Sequence, residues 1–460
     1  MLPTSTPQVS PADHPLRQEL RHLLPLAGPI ILSQLGQVGM TVVDTMMVGP
    51  LGAQALAAIG LGAAIHMFFL IVCSGVIFAM TPLISQAFGA GDPERSRLVL
   101  MQGLWLALLG SIPVVVTSLI GGRIALALGQ DPGVSHLCGE FLWALAWGVT
   151  PQFAFMTCRQ YLEGIDQARA PMVITGLGLL ANIAANSCLI YGVSGWIPAM
   201  GAVGTGWATT TVRWVMCLAI IVYLIAGQQP FRRRHLRPDW AIISHLLRLG
   251  APIGTQLGLE LGLFSFAAVM MGWLGPTALA AHQVTLNIAS TTFMVALGVS
   301  LAGAIRVGQH LGAGEIARVR HASTATYLVT LGFMSACAIL FVSVPETLLR
   351  LYTPDAAVIA LGTRLLLMAA LFQVFDGAQV AGTSILRGLS DTRVPMIVGT
   401  VGYWLIGVPT AYVLAFHTSW GPVGVWAGLC AGLAIVAVLM ALRVRRLLRL
   451  PSDGHVPIVT

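Results

Sequence analysis

Apolar stretches long enough to cross a membrane recur along almost the whole chain. A helix needs ~20 residues to cross a hydrocarbon core of ~30 Å, and short turn-forming segments such as Gly49-Pro50 and Gly275-Pro276 separate the stretches. We predict about twelve spans, at residues 24–48, 53–80, 98–121, 136–158, 168–192, 202–227, 244–272, 277–305, 321–344, 357–384, 393–416 and 422–446. The pattern predicts an all-α integral membrane protein.

The composition excludes several classes of protein. Only 9% of the 460 residues are charged, against roughly 25% in an ordinary soluble domain. The net charge of +7 is spread in small groups rather than in one basic patch, so we expect no nucleic-acid partner. All 24 basic residues are arginine. Without lysine the chain has no phosphate-binding loop G-x-x-x-x-G-K-[ST], which argues against an ATP-driven pump.

Motifs for catalysis and metal binding are missing as well. The seven cysteines have no metal-ligand spacing, and the chain contains neither G-x-S-x-G nor H-E-x-x-H. We therefore predict a protein that is not an enzyme and needs no cofactor.

The distribution of arginine predicts the orientation in the membrane. Connections between spans alternate between the two sides, and basic residues are enriched in cytoplasmic connections. One set of connections holds only Arg123 and Arg350, whereas the other holds twenty arginines and both chain ends. The twenty are Arg17, Arg21, Arg95, Arg97, Arg159, Arg169, Arg232, Arg233, Arg234, Arg237, Arg248, Arg306, Arg318, Arg320, Arg387, Arg393, Arg443, Arg445, Arg446 and Arg449. Both termini are therefore predicted to be cytoplasmic. Arg213 and Arg364 fall within spans and receive no role.

An internal repeat divides the chain into two halves. The segment Gln86-x-x-Gly89-Ala90-Gly91-Asp92 recurs as Gln309-x-x-Gly312-Ala313-Gly314-Glu315, an offset of 223 residues, and at an offset of 224 Leu162, Gly164 and Arg169 match Leu386, Gly388 and Arg393. Six spans per half give two bundles of the same orientation, and parallel repeats of this kind place the substrate between them.

The repeat predicts five segments. They are a cytoplasmic tail (1–21), an N-lobe of six helices (22–228), a cytoplasmic linker (229–243), a C-lobe of six helices (244–447) and a C-terminal cytoplasmic tail (448–460).

Three of the 17 acidic residues fall within spans: Glu260 and Asp376 lie deep, and Asp44 lies five residues before Gly49, nearer the outer face. An ionisable side chain at the centre of a membrane helix costs at least ~2.5–3.5 kcal/mol, so each is a candidate functional residue. Burial favours the protonated form of a carboxyl group unless a cation is present. These acids are thus suited to exchange a proton or a sodium ion for a cationic solute.

Amide side chains accompany the acids at helical spacing. Gln37 lies seven residues before Asp44 on one helix face, while Asn182 and Asn186 share a face at i, i+4, as do Gln283 and Asn287. Amide oxygens complete the hydrogen bonds of a carboxyl group or the oxygen shell of a hard cation. Hydrogen bonding between helices is an equally good interpretation of each amide taken alone, and packing is the preferred interpretation of His66 and His282.

Several motifs together resemble one transporter family. They are Pro29-Ile30 followed by Val43-Asp44-Thr45-x-Met47-Val48-Gly49, then Leu162-x-Gly164, Ala280-Ala281-His282-Gln283-Val284-x-Leu286-Asn287, Arg306-Val307-Gly308, and Asp376-x-x-Gln379 followed by Leu386-Arg387-Gly388. The set resembles the multidrug and toxic compound extrusion (MATE) transporters, with the NorM-type bacterial branch as the nearest. It covers residues 22 to 446.

The resemblance implies an antiporter of two lobes in a bacterial inner membrane. It exports lipophilic, often cationic drugs in exchange for inward sodium ions or protons, and we expect it to function as a monomer surrounded by lipid. A C-lobe cation site, with sodium as one occupant, is implied at Glu260 and Asp376, with Gln283 and Asn287 nearby. An N-lobe site is implied at Asp44 with Gln37, Asn182, Asn186 and Thr209. Phe372 stands where the resemblance leads us to expect a tyrosine, which weakens the assignment of sodium relative to protons.

Two alternatives stay open at this stage. One is a flippase of lipid-linked oligosaccharides, or a polysaccharide exporter, of the same broad superfamily; the other is a channel or a membrane scaffold that transports nothing. The position of the arginines at the cytoplasmic edge argues against the first, and the buried acids argue against the second.

Overall fold

The computed structural model describes residues 15–193, 196, 198–227 and 237–449, which are almost entirely helical. The helices are α1 (Pro15–Val48), α2 (Ala53–Phe78), α3 (Met80–Gly89), α4 (Pro93–Leu119), α5 (Gly121–Ala127), α6 (Pro132–Ala146), α7 (Val149–Gly164), α8 (Arg169–Ile190), α9 (Ala202–Ala226), α10 (Trp240–Trp273), α11 (Pro276–Gly312), α12 (Ile316–Ser343), α13 (Pro345–Arg350), α14 (Ala356–Gly388), α15 (Arg393–Gly399), α16 (Val408–Phe416) and α17 (Pro422–Arg449). A π-helical segment, Thr400–Gly407, joins α15 to α16.

The predicted membrane fold is confirmed. Eleven helical segments in the described chain are long and apolar enough to cross a membrane. The remaining predicted span, 136–158, is broken at Trp147 and Gly148 into α6 and α7, of 15 and 16 residues, and neither piece is long enough to cross alone.

Several helices overrun their predicted spans at the face where α1 begins and α17 ends, here called the arginine-rich face. Helix α1 begins at Pro15, inside the predicted tail 1–21, and α11 continues to Gly312. These ends carry polar and charged residues, which an α-helix tolerates once it has left the apolar layer. Residues 1–14, most of the linker (228–236) and residues 450–460 lie outside the described residues.

Aspartate residues fix where four helices begin. Asp92, Asp131, Asp239 and Asp355 stand immediately before α4, α6, α10 and α14, and each side chain accepts a hydrogen bond from a backbone N–H of the first turn. This N-cap satisfies donors that have no partner within the helix. These helices begin at residues 93, 132, 240 and 356, one to five residues before the spans predicted to begin at 98, 136, 244 and 357.

The two halves of the chain form separate bundles, α1–α9 (N-lobe) and α10–α17 (C-lobe), that meet along two seams. In the first seam the beginning of α10 packs into the core of the N-lobe through Ile243, Leu246 and Ile253. In the second, α1 packs on α11, where a methyl group added to Gly298 would overlap Ile31. Both seams lie in the half of the molecule nearest the arginine-rich face.

Candidate functional site

Asp44 is the centre of a polar cluster inside the N-lobe. The amide nitrogen Nδ2 of Asn182 donates to Asp44 Oδ1 at 3.1 Å, and that of Asn186 donates to the same oxygen at 2.6 Å. The hydroxyl of Thr209 donates to Asp44 Oδ2 at 3.1 Å. The structure thus brings four of the five predicted N-lobe residues together on α1, α8 and α9.

Small residues allow these three helices to approach. A methyl group on Gly36 of α1 would overlap the side chain of Thr175 on α8, and one on Gly178 of α8 would overlap Met216 on α9. Small side chains at such contacts let membrane helices pack closely. The i, i+4 spacing of Asn182 and Asn186 then aims both amides at α1.

Gln37 is the predicted N-lobe residue that does not join the cluster. It is half-buried on α1, and in the described part of the chain no hydrogen bond links it to Asp44. Arg213, left without a role by the sequence, lies close enough to Asp44 to attract it electrostatically. Its Nη1 is 3.4 Å from His66 Nε2, and His66 Nδ1 is 3.2 Å from the hydroxyl of Ser118. Arg364 is exposed on α14.

The two C-lobe acids lie on α10 and α14. Asp376 is 5% exposed and Glu260 is half-buried, and the two carboxyl groups are near enough to repel each other. The guanidinium of Arg387 attracts Glu260 from the arginine-rich side. Within the described residues neither acid has a salt-bridge partner or a hydrogen bond to its carboxyl group.

Polar atoms without partners surround this pair. Among the described residues, the amide oxygen of Gln379 and Nε of Arg387 are buried with no hydrogen-bond partner, and the hydroxyl of Tyr403 lies close to the side chain of Gln379. Tyr403 also interacts electrostatically with both acids. Buried polar groups are usually paired, so the unpaired amide oxygen of Gln379, three residues after Asp376 on α14, makes this region a candidate site.

The other predicted C-lobe residues make contacts elsewhere. Phe372 is buried in the core of the C-lobe, where its ring packs edge-on against Phe264 (6.1 Å) and Trp426 (5.6 Å). Gln283 and Asn287 are exposed on α11, and the amide of Asn287 donates to the backbone carbonyl of Gln283 at 2.9 Å. No hydrogen bond in the described chain joins either amide to Glu260 or Asp376.

Comparison with known proteins decides the family. The MatE family model matches residues 29–187 and 252–413, two segments that begin 223 residues apart, the offset of the internal repeat. The chain belongs to the MatE family. Both matched segments include acids of the candidate sites: Asp44 in the first, and Glu260 and Asp376 in the second.

Relatives within the MatE family match nearly the whole chain. One is "Probable multidrug resistance protein NorM" of Bradyrhizobium diazoefficiens, 38% identical over 454 residues and 97% of each protein. Another is "Multidrug resistance protein MdtK" of Yersinia enterocolitica, 37% identical over 94% of this chain and 97% of the relative.

Solved structures of MatE proteins share the fold. The eukaryotic MATE transporter AtDTX14 superposes with a TM-score of 0.84 at 21% identity, covering 94% of this chain and 96% of that one. An outward-facing multidrug resistance MATE family transporter superposes with a TM-score of 0.85 at 20% identity, covering 96% and 98%.

Acidic residues at the arginine-rich face correct one expectation of the sequence. Glu19 falls in the predicted tail, and Glu163 and Asp391 fall in predicted connections, yet all three are buried. Each is salt-bridged: Glu19 to Arg306 at 3.2 Å, Glu163 to Arg159 at 2.9 Å and Asp391 to Arg443 at 2.8 Å. The i, i+4 spacing of Arg159 and Glu163 was visible in the sequence, whereas the other two pairs join distant segments.

Proposed function

We propose that this MatE protein is a multidrug efflux antiporter that exchanges lipophilic, often cationic compounds for inward sodium ions or protons. The observation that carries the proposal is a contrast among buried and half-buried acids. Glu19, Glu163 and Asp391 at the arginine-rich face are salt-bridged, while Asp44, Glu260 and Asp376 have no salt bridge to any described residue. Within the described chain, Arg213 and Arg387 lie close enough to attract Asp44 and Glu260 but form no salt bridge to them. A carboxyl group inside a membrane protein that no salt bridge neutralises is suited to bind a mobile cation.

The oxygen atoms around these acids suit a small cation. The amide oxygen of Asn186 is buried beside Asp44 without a hydrogen-bond partner among the described residues. In the described part of the C-lobe, the amide oxygens of Gln379 and Gln373 are also buried without a partner. Hard cations take oxygen ligands of this kind, and the rule extends from calcium and magnesium to sodium. A proton needs fewer ligands, and the aromatic ring of Phe372 at the position of an expected hydroxyl favours protons at the C-lobe site.

The orientation follows from the arginine-rich face, which we assign to the cytoplasm of a bacterial inner membrane. The seams between the lobes lie near that face, and on the other half of α11 the exposed residues Gln283 and Asn287 carry polar groups that lipid would leave unpaired. We infer that these residues line a cleft open to the outside. Cargo binds in this cleft, and cation binding at the acids resets the lobes for the next cycle.

Dye efflux from proteoliposomes tests the proposal, with a sodium gradient and a pH gradient imposed separately. The wild-type protein should respond to one gradient, and Glu260→Gln, Asp376→Asn and Asp44→Asn should each lower gradient-driven efflux at least about tenfold, the effect of losing ~1.4 kcal/mol of coupling. Glu140→Gln is the matched control, because Glu140 is an exposed acid on α6.

Two results would contradict the proposal. Efflux that ignores both gradients would argue for a carrier without ion coupling. Efflux that survives unchanged in all three variants would show that the unpaired acids take no part in transport.

A further inference from the structure

The two glutamines that open the repeated motif, Gln86 and Gln309, lie where the lobes cross at the arginine-rich face. Helix α3 ends at Gly89 and α11 ends at Gly312. A methyl group on Gly89 would overlap the backbone carbonyl of Gln309, and one on Gly312 would overlap the backbone carbonyl of Gln86. The crossing is reciprocal, and both of its contacts require glycine.

Each glutamine side chain reaches the end of a helix in the opposite lobe. Gln86 Nε2 donates to the carbonyl of Gly388, at the end of α14, at 3.0 Å. Gln309 Nε2 donates to the carbonyl of Gly164, at the end of α7, at 3.2 Å. The last carbonyls of a helix have no partner within it. Each glutamine therefore donates to a helix-end carbonyl of the opposite lobe that has no partner in its own helix.

The acceptors are related by the same repeat as the donors. Gly164 and Gly388 are 224 residues apart, and each is followed by a turn with a left-handed residue, Asp166 at φ 66° and Ser390 at φ 63°. Ser390 adds its hydroxyl, 3.0 Å from Gln86 Nε2. The repeated sequence thus builds the same contact twice, once in each direction across the lobes.

We propose that Gln86 and Gln309 are positioning residues that act as paired latches, holding the lobes closed at the arginine-rich face. This inference rests on the proposed alternating access, in which that face must open once per cycle. Opening separates α3 from α14 and α11 from α7, so both hydrogen bonds must break. The strength of the two latches therefore sets the balance between the form closed at this face and the form open at it.

The Gln309 latch has a reinforcement that the Gln86 latch lacks. Arg306 Nη1 donates to the amide oxygen of Gln309 at 3.0 Å, and the same guanidinium forms the salt bridge to Glu19 of the N-lobe. At the 223 offset the equivalent of Arg306 is Leu83. The variants below leave the salt bridge in place. Gln86→Met therefore reports on the hydrogen bonds of its amide alone, whereas Gln309→Met also removes the acceptor of Arg306 Nη1.

Distances between spin labels across the arginine-rich face test the latches. Arg95 and Ala317 are exposed near the starts of α4 and α12, in opposite lobes, and Arg95→Cys with Ala317→Cys would carry the labels. The seven native cysteines, all free, are replaced first, and the protein is measured in lipid nanodiscs. Gln86→Met and Gln309→Met remove the donated hydrogen bonds, and Gln309→Met also removes the oxygen that accepts from Arg306. Each variant should raise the ratio of long to short distances about tenfold.

Gln160→Met is the matched control. Gln160 is a buried glutamine of α7, and its amide nitrogen has no partner among the described residues, so the ratio should stay at the wild-type value. Gln86→Glu and Gln309→Glu provide second variants of equal size without a donor, should either Met variant fail to fold.

The inference is overturned if the folded latch variants keep the wild-type ratio, or if Gln160→Met changes the ratio as much as they do. The spin-label distances can be measured without any transported compound. If the latch variants show the expected shifts but the wild-type protein exports no dye, the result contradicts the proposed function and not the latches.

Discussion

At the scale of single residues, the partners of each acid distinguish acids with a structural role from the candidate cation-binding acids. Buried acids of the arginine-rich face form salt bridges with arginine, as in the pair Arg159–Glu163 at 2.9 Å. Asp44 is matched instead by neutral donors from Asn182, Asn186 and Thr209. Neutral donors stabilise a carboxylate without neutralising it, which leaves the charge available to a cation.

The amide of Asn186 makes the shortest hydrogen bond to Asp44, at 2.6 Å. Asn186→Ala should lower dye efflux several-fold, because losing a hydrogen bond to a charged group costs about 1.5–3 kcal/mol. Ser187→Ala is the control, since that hydroxyl bonds only the carbonyl of Ile183 on its own helix. Equal efflux in the two variants would remove Asn186 from the candidate site.

The salt bridge between Arg159 and Glu163 makes a prediction about stability. Glu163→Gln leaves a buried guanidinium without its counter-charge, and should lower the free energy of unfolding by about 3–5 kcal/mol. Glu346→Gln breaks a salt bridge of the same i, i+4 type between exposed side chains, so its effect should stay below about 1 kcal/mol. Thermal unfolding in detergent compares the two, and similar shifts would contradict a structural role for the buried pair.

Residue-level prediction from sequence succeeded where spacing along one helix carried the information. Asp44, Asn182 and Asn186 were found by depth and by i, i+4 spacing, and the structure joins them. Tyr403 and Arg387 were missed as neighbours of the C-lobe acids, because they come from other segments and Arg387 was counted with the connections. Their approach depends on how α10, α14 and the π-helical segment pack, which no local pattern encodes.

At the scale of helices, two irregular elements shape the C-lobe and N-lobe. The π-helical segment Thr400–Gly407 precedes Pro409 and carries Tyr403 toward the acids, and such segments are frequent at functional sites. The break between α6 and α7 splits one span into two short helices. Hydropathy predicted the bounds of the span 393–416. The predicted span 136–158 is shorter than the region Pro132–Gly164 that α6 and α7 cover, and neither irregularity was predicted.

The glycines of the helix crossing make a prediction at this scale. Gly89→Ala adds a methyl group that overlaps the backbone carbonyl of Gln309, and should lower the free energy of unfolding by about 1–3 kcal/mol. Gly332→Ala on α12 meets nothing within 4 Å, so it should leave the stability unchanged or raise it by up to about 1 kcal/mol. An equally stable Gly89→Ala protein would show that the close crossing is not required.

At the scale of the whole molecule, the repeat explains both the symmetry and its exceptions. Two lobes of the same orientation share the glycine crossing and the reciprocal glutamine contacts. The unpaired acids break that symmetry, with Asp44 in one lobe and Glu260 with Asp376 in the other. The two symmetric lobes would thus support the rocking motion of alternating access. The asymmetrically placed acids are the candidates for coupling that motion to an ion.

The most direct test of ion coupling is cation movement driven by cargo alone. Proteoliposomes are given a gradient of a cationic dye, with sodium and pH equal on both sides, and internal sodium and internal pH are followed by fluorescence. The wild-type protein should move sodium or protons against the dye, and Asp376→Asn should move dye with that counterflow abolished or should move neither. Dye crossing in the wild-type protein with no opposing cation, or an unchanged counterflow in Asp376→Asn, would contradict the account.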